Sequence, residues 1–151
     1  MHRFTNKTGI ELIKHFEGFS SNIYTCAAGY KTIGFGHKIL PHENYSKISL
    51  ATAEEILAKD LFRIEKSVIN LINSPLTENQ FAALVSFTFN IGGAALQRST
   101  LRQKINYGTY QECSYEFLRW VYAGGKKISG LILRRSAESK LFLNSDISIL
   151  S

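Results

Sequence analysis

Residues 15–39, HFEGFSSNIYTCAAGYKTIGFGHKI, gather a carboxylate, a thiol, a hydroxyl, an imidazole and four glycines. Glu17 falls where a short helix should end, beside Gly18. The partial negative charge of a helix C-terminus disfavours a carboxylate, and burial against Phe16 or Phe19 acts in the same direction. A glutamic acid kept protonated near neutral pH is what a general acid needs to protonate a leaving oxygen. An ordinary solvated glutamate is the plainer alternative. Cys26 is a chemical participant, a structural thiol or half of a disulfide. It stands with Thr32 across a predicted turn, so both can face one cleft opposite the helix end. Thr32, Gly34 and Gly36 alternate onto one strand face. The glycines leave that face bare for a bulky ligand to approach the backbone, unless they only serve the turns while His37 packs locally. The E-x8-C-x5-T spacing uses common residue types and specifies no reaction by itself.

The elements that must position these residues are legible from caps and periodicity. Thr8-Gly9-Ile10-Glu11 reads as a capping box opening a short amphipathic helix through Ile10, Ile13 and Phe16, with Gly18 at its end. Ile23-Tyr24-Thr25 and Lys31-Thr32-Ile33 flank Ala27-Ala28-Gly29 as a hairpin, and 34–48 reads as loop. A second capping box at Thr52-Ala53-Glu54-Glu55 opens a helix to about Asn73, roughly 30 Å long and able to join two lobes. Pro75 ends it. Thr77-Glu78-Asn79-Gln80 starts the next helix, whose FAALVSFTFNI is apolar nearly all round, as in a core. After Gly92-Gly93, helices are expected at about 99–107, 109–122 and 130–143, the first closed by Gly108. The expected architecture is α+β and mainly α. It has an N-terminal lobe at about 1–52, a connecting helix at about 53–73 and an all-α C-terminal lobe at about 74–151.

The chain has 151 residues, 44% of them hydrophobic and 20% charged, so a single domain with an adequate core is expected. No apolar run approaches the roughly 18 residues that span a bilayer, and the N-terminus lacks a continuous apolar signal region. Synthesis in a cytoplasm without stable membrane insertion is the expectation. The net charge of +6 and pI near 9.4 imply an anionic partner. The basic residues are spread out, with Lys126-Lys127 and Arg134-Arg135 as the adjacent pairs, and no motif organises them for nucleic acid. An anionic polymer such as a bacterial cell wall suits the charge. Cys26 and Cys113 are expected as free thiols, given a reducing compartment and a sufficient core. His2, His15, His37 and His42 are scattered, so neither a metal site nor a cofactor is expected.

The pattern E-G-x7-C-x5-T-I-G-F-G-H resembles the phage-type lysozymes (endolysins) of glycoside hydrolase family 24. LTENQFAALVSFTFNIG, STLRQKIN and FLRWVYAGGKKISGLILRRSAE follow in that family's order, so the resemblance runs from about Gly9 to Phe142. It implies a lysozyme-like two-lobe fold and hydrolysis of the β-1,4 bond between N-acetylmuramic acid and N-acetylglucosamine in peptidoglycan. Matched by position, Glu17 is the general acid, with Cys26 and Thr32 the second and third catalytic positions. The second position is often Asp, and Cys marks a subgroup. Cys26 then either anchors or activates the attacking water, with Thr32 beside it, or attacks the anomeric carbon as a thiolate. With no cation evident near Cys26 in the sequence, ready ionisation is not expected. Phe89 and Thr100 match positions lining the sugar cleft from the C-terminal lobe, with a core aromatic the equal alternative for Phe89. Gly34 lies on the bare strand face, and His37 supports the hairpin. Arg134 or Arg135 approaches Glu17, while Trp120 and Cys113 belong to the core. The implied setting is a monomeric enzyme in the host cytoplasm, reaching the wall with the help of a separate holin. The competing readings are a catalytically impaired wall-binding protein of the same fold and a basic nucleic-acid-binding domain.

Overall fold

The computed structural model describes residues 1–143, so positions 144–151 of the stretch read as 74–151 lie outside the described residues. The chain runs α1 (Lys7–Glu17), β1 (Ser20–Thr25), β2 (Lys31–Gly34), β3 (His37–Lys38), α2 (Leu50–Leu71), α3 (Glu78–Ile91), α4 (Gly93–Arg98) and α5 (Thr100–Tyr107). A 3-10 turn at Tyr110–Glu112 leads to α6 (Cys113–Phe117), β4 (Tyr122–Ala123), β5 (Lys126–Lys127) and α7 (Ser129–Phe142). This is the expected mainly helical α+β class.

The centre is α3. All its residues from Phe81 to Thr88 are buried, as the all-round apolar sequence requires, and α1, α2 and α7 pack around it. Its start, read in the sequence at Thr77-Glu78-Asn79-Gln80, is a reciprocal capping box. Thr77 accepts from the Gln80 N–H, and the Gln80 side chain accepts from the Thr77 N–H. Helix α1 lies close enough that a Cβ on Gly9 would meet Ala82 Cβ at 2.7 Å, so only glycine fits there. Leu12 and Ile13 complete that contact with no exposed surface.

Two helix starts differ from the sequence reading. The α1 cap is Asn6, whose side chain accepts from the Gly9 N–H at 2.9 Å and donates to Asn79 at 3.0 Å. An earlier cap with a tertiary partner displaces the Thr8 box. Likewise Ser49 caps α2, accepting from the Thr52 N–H at 3.1 Å, and the helix ends at Leu71. Its 22 residues make a rod of about 33 Å.

Two segments depart further from the sequence expectation. The stretch 34–48 is not all loop, because β3 pairs antiparallel with β2, matching Thr32 with Lys38 and Ile33 with His37. The turn between those strands holds Gly36 at φ +70°, which lets two short strands close tightly. The single helix expected at 109–122 is instead the 3-10 turn and the five-residue α6. A small hairpin then turns through Gly124 and Gly125, both at positive φ. Helix α4, between Gly92 and the Ser99 cap, was not anticipated.

Candidate active site

Helix α1 ends at Glu17 because Gly18, at φ +71°, turns the chain away while its N–H caps the Lys14 carbonyl. The carboxyl leans over the β2–β3 turn. A Cβ on Gly36 would collide with Glu17 Oε1, so the glycine makes room for the acid. From the far side of the chain, Arg134 Nη1 donates to Glu17 Oε2 at 2.6 Å. Of the two arginines left open by the sequence, Arg134 is therefore the one that meets Glu17.

Arg134 is 3% exposed and otherwise spent on the interior. Its Nε donates to Glu138 Oε2 at 3.2 Å and its Nη2 to the Ser86 carbonyl at 3.1 Å. Arg135 is fully buried. It donates to Glu138 Oε1 at 2.7 Å, to Asn90 Oδ1 at 2.8 Å and to the Trp120 carbonyl at 3.3 Å. Burial pushes its guanidinium downward against the pull of Glu138. One fully buried carboxylate thus faces two arginines, and only Arg134 reaches out of the cluster to Glu17.

Opposite Glu17 stands the hairpin. The β1–β2 register pairs Tyr24 with Thr32, and β2–β3 pairs Thr32 with Lys38. Cross-strand partners share a sheet face, so Tyr24, Thr32 and Lys38 form one row. Cys26 follows β1 and closes the turn: its N–H donates to the Tyr30 carbonyl and its carbonyl accepts from the Gly29 N–H, both at 2.9 Å. The Thr32 hydroxyl donates to that same Tyr30 carbonyl at 2.9 Å and also lies within reach of the Cys26 sulfur. It has one proton and serves one acceptor at a time.

Burial pushes the Cys26 thiol up, yet hydrogen bonds from the backbone of Tyr30, from Thr32 and from the backbone of Ala28, with the charge of Lys38, bring it below its ordinary value. The expectation that no cation stands near Cys26 is corrected here. Lys38 arrives on β3, the strand absent from the sequence reading. Burial and the neighbouring Glu17 and Cys26 raise the Tyr24 phenol. Cys113, by contrast, is fully buried, with its thiol pushed up to about 11 by burial. The two cysteines are free, as expected.

Glu17, Cys26 and Thr32 line one cavity of about 280 Å³ with Tyr24, Gly36, Lys38, Phe89 and Asn90. Phe89, partly buried against the core, also lines an adjoining cavity of about 430 Å³ that shares Gly36, Lys38 and Asn90. His37 lines that second cavity, with Nδ1 2.7 Å from Asp60 and Nε2 2.8 Å from Glu43. Two other expected cleft residues are not brought to Glu17. Gly34 faces the opposite way, its missing Cβ directed at Ala53 and Ile48 at 3.4 Å, because alternation breaks at its φ of +68°. Thr100 lines a separate cavity of about 300 Å³ with Arg98, Ser99, Glu116, Arg119 and Trp120, since α4 carries the start of α5 away. Trp120 is only half-buried there, packing edge-on to Phe87 at 5.8 Å.

Sequence reasoning missed Tyr24, Lys38 and Asn90. Strand alternation places Tyr24 two before Cys26 on the Thr32 row and offered a signal for it. The other two arrive by tertiary contact. Among the described residues no three His, Cys, Asp or Glu side chains are grouped as a metal would need, and no helix is long and apolar enough to cross a membrane.

A family model described as Phage lysozyme matches residues 14–138. The endolysin of Bacillus phage B103 is 40% identical over 143 residues, covering 93% of this chain and 54% of its own. The endolysin of Acyrthosiphon pisum secondary endosymbiont phage 1 is 39% identical over 142 residues, covering 91% and 96%. Among solved structures, the endolysin from Escherichia coli O157:H7 phage FAHEc1 is similar with a TM-score of 0.86 at 34% identity, covering 98% of both chains. The chain belongs to the phage lysozyme family, a family of lysozyme-type glycoside hydrolases. It spans about half the length of the Bacillus phage B103 endolysin.

Proposed function

We propose that the protein is an endolysin that hydrolyses the β-1,4 bond between N-acetylmuramic acid and N-acetylglucosamine in bacterial peptidoglycan, and so causes lysis. The observation that carries this reading is the convergence of Glu17, Cys26 and Thr32 on one open cavity from a helix end and two strands. Glu17 is the general acid. Arg134 holds Oε2, which fixes the carboxyl without engaging Oε1. The proton passes from Glu17 to the glycosidic oxygen as its bond to the anomeric carbon breaks. A water held by Cys26, acting as the thiolate, and Thr32 attacks that carbon, and its proton passes to the sulfur. This leaves a Cys26 thiol and a Glu17 carboxylate, and proton exchange with solvent restores both for the next turnover. While the Thr32 proton is committed to Tyr30, its oxygen meets the water as an acceptor.

The working unit is a monomeric catalytic domain with a hairpin-bearing lobe at about 1–52, α2 as connector and a helical lobe from about 74. The protein is made in the host cytoplasm, and a separate holin gives it access to the wall. The basic charge suits an anionic polymer.

Purified protein should clear a peptidoglycan suspension, and Glu17→Gln should lower the rate by about 10²–10⁴-fold, the range for losing a general acid. A wild-type protein that binds the wall without clearing it at any pH would support the impaired, wall-binding reading instead.

A further inference from the structure

The hairpin holds a cation for which the proposed acid, thiol and hydroxyl leave no role. Lys38 is exposed, yet its ammonium stands over the Tyr30 ring at 4.7 Å from the centroid. No carboxylate pairs with it among the described residues, so its charge is not consumed by a salt bridge. Tyr30 is the same residue whose carbonyl receives the Cys26 N–H and the Thr32 hydroxyl. Lys38 also sits directly across from Thr32 in register and lines the Glu17 cavity. One residue, Tyr30, therefore fixes the backbone of Cys26, the hydroxyl of Thr32 and, through its ring, the ammonium of Lys38. A cation over an aromatic face is attracted to the ring quadrupole, which narrows where a long flexible side chain can place its charge.

We propose that Lys38, held over Tyr30, is a positioning residue for Cys26 that supplies the positive charge on the hairpin side of the cleft. The inference rests on the proposed role of Cys26. The charged and titratable groups that share the cavity with Cys26 are Lys38 from β3, Tyr24 from β1 and Glu17 from the end of α1, with Arg134 of α7 bonded to Glu17. Arg134 is engaged by Glu17, Glu138 and the Ser86 carbonyl. Lys38 is thus the cation free to favour negative charge on Cys26, and the thiol's lowered value agrees in sign.

The test is the pH profile of Cys26 alkylation by iodoacetamide, read by mass spectrometry on the intact protein, with the buried Cys113 as an unreactive internal control. In Lys38→Met, alkylation at neutral pH should slow by about 3–10-fold and its midpoint should move to higher pH. Lys38→Arg should restore the wild-type profile, and added salt should shrink the difference, as screening requires. Because Lys38 is exposed, its replacement should leave the melting temperature unchanged. An alkylation profile in Lys38→Met identical to wild type overturns the inference. Loss of clearing with an unchanged profile overturns it too, since Lys38 would then act on the substrate. A shifted profile with unaltered clearing keeps the Lys38–Cys26 coupling and instead removes Cys26 from the proposed catalysis.

Discussion

The two walls of the candidate site are built by opposite means. On one, Glu17 is tied to Arg134 across 117 positions of sequence, and Arg134 to the fully buried Glu138 and Ser86, with Glu138 also holding the neighbouring Arg135. On the other, Cys26 and Thr32 are organised within seven residues by one tight turn, with Tyr24 and Tyr30 exposed beside them. The acid wall is therefore part of the core, and its geometry is only as stable as the whole fold. The hairpin wall is local, and its chemistry can change without touching the core.

The largest expected effect lies on the acid wall. Glu138→Ala leaves two buried guanidiniums without their shared carboxylate and should destabilise the fold by about 3–5 kcal/mol in urea unfolding. It should also abolish clearing, since Arg134 loses the partner that aims it.

Asp60→Asn comes next, at the base of the hairpin. Asp60 is 2.7 Å from His37, and that hydrogen bond, opposed by burial and aided by Glu43, raises the imidazole above its ordinary value. A raised folded value means the contribution is fully present below about pH 6.5 and disappears as pH climbs through the folded value. Asp60→Asn should therefore lose about 1.5–3 kcal/mol near pH 5.5 and much less near pH 8, measured by melting at both pH values. A loss that is equal at both would break this assignment.

Gly36→Ala is a smaller perturbation of the same boundary. A methyl there meets the Glu17 carboxyl and forces a non-glycine residue to φ +70°, which should cost about 1–3 kcal/mol and reduce clearing. Cys26→Ser should produce the smallest change in stability, within about 0.5 kcal/mol, while turnover falls sharply. If Cys26→Ser instead unfolded the protein, the claim that the hairpin wall is separable from the core would fail.

The same contrast explains what the sequence disclosed. Local features were legible: the helix start at Thr77, the buried α3, the turn between Cys26 and Thr32, and the helix end at Gly18. Contacts made across the fold were not. Nothing in LILRRSAE distinguishes Arg134 from Arg135, because the choice depends on which helix face meets α1 and α3. Lys38 was hidden because a two-residue strand has too short a period to register as one, and with it went the cation beside Cys26. Gly34 failed for a related reason, since alternation predicts a strand's face only while the backbone stays extended. The Gly124-Gly125 turn was overlooked because the residues before it resemble a continuing helix until the chain reverses.

The most direct measurement is product analysis of peptidoglycan digested in ¹⁸O-labelled water by wild type, Glu17→Gln and Cys26→Ser. Hydrolysis by the proposed acid and water predicts a reducing muramic acid end carrying the label from wild type and little or no product from either variant. Label released by Glu17→Gln at the wild-type rate, or an unlabelled cyclised muramic end from wild type, would contradict it.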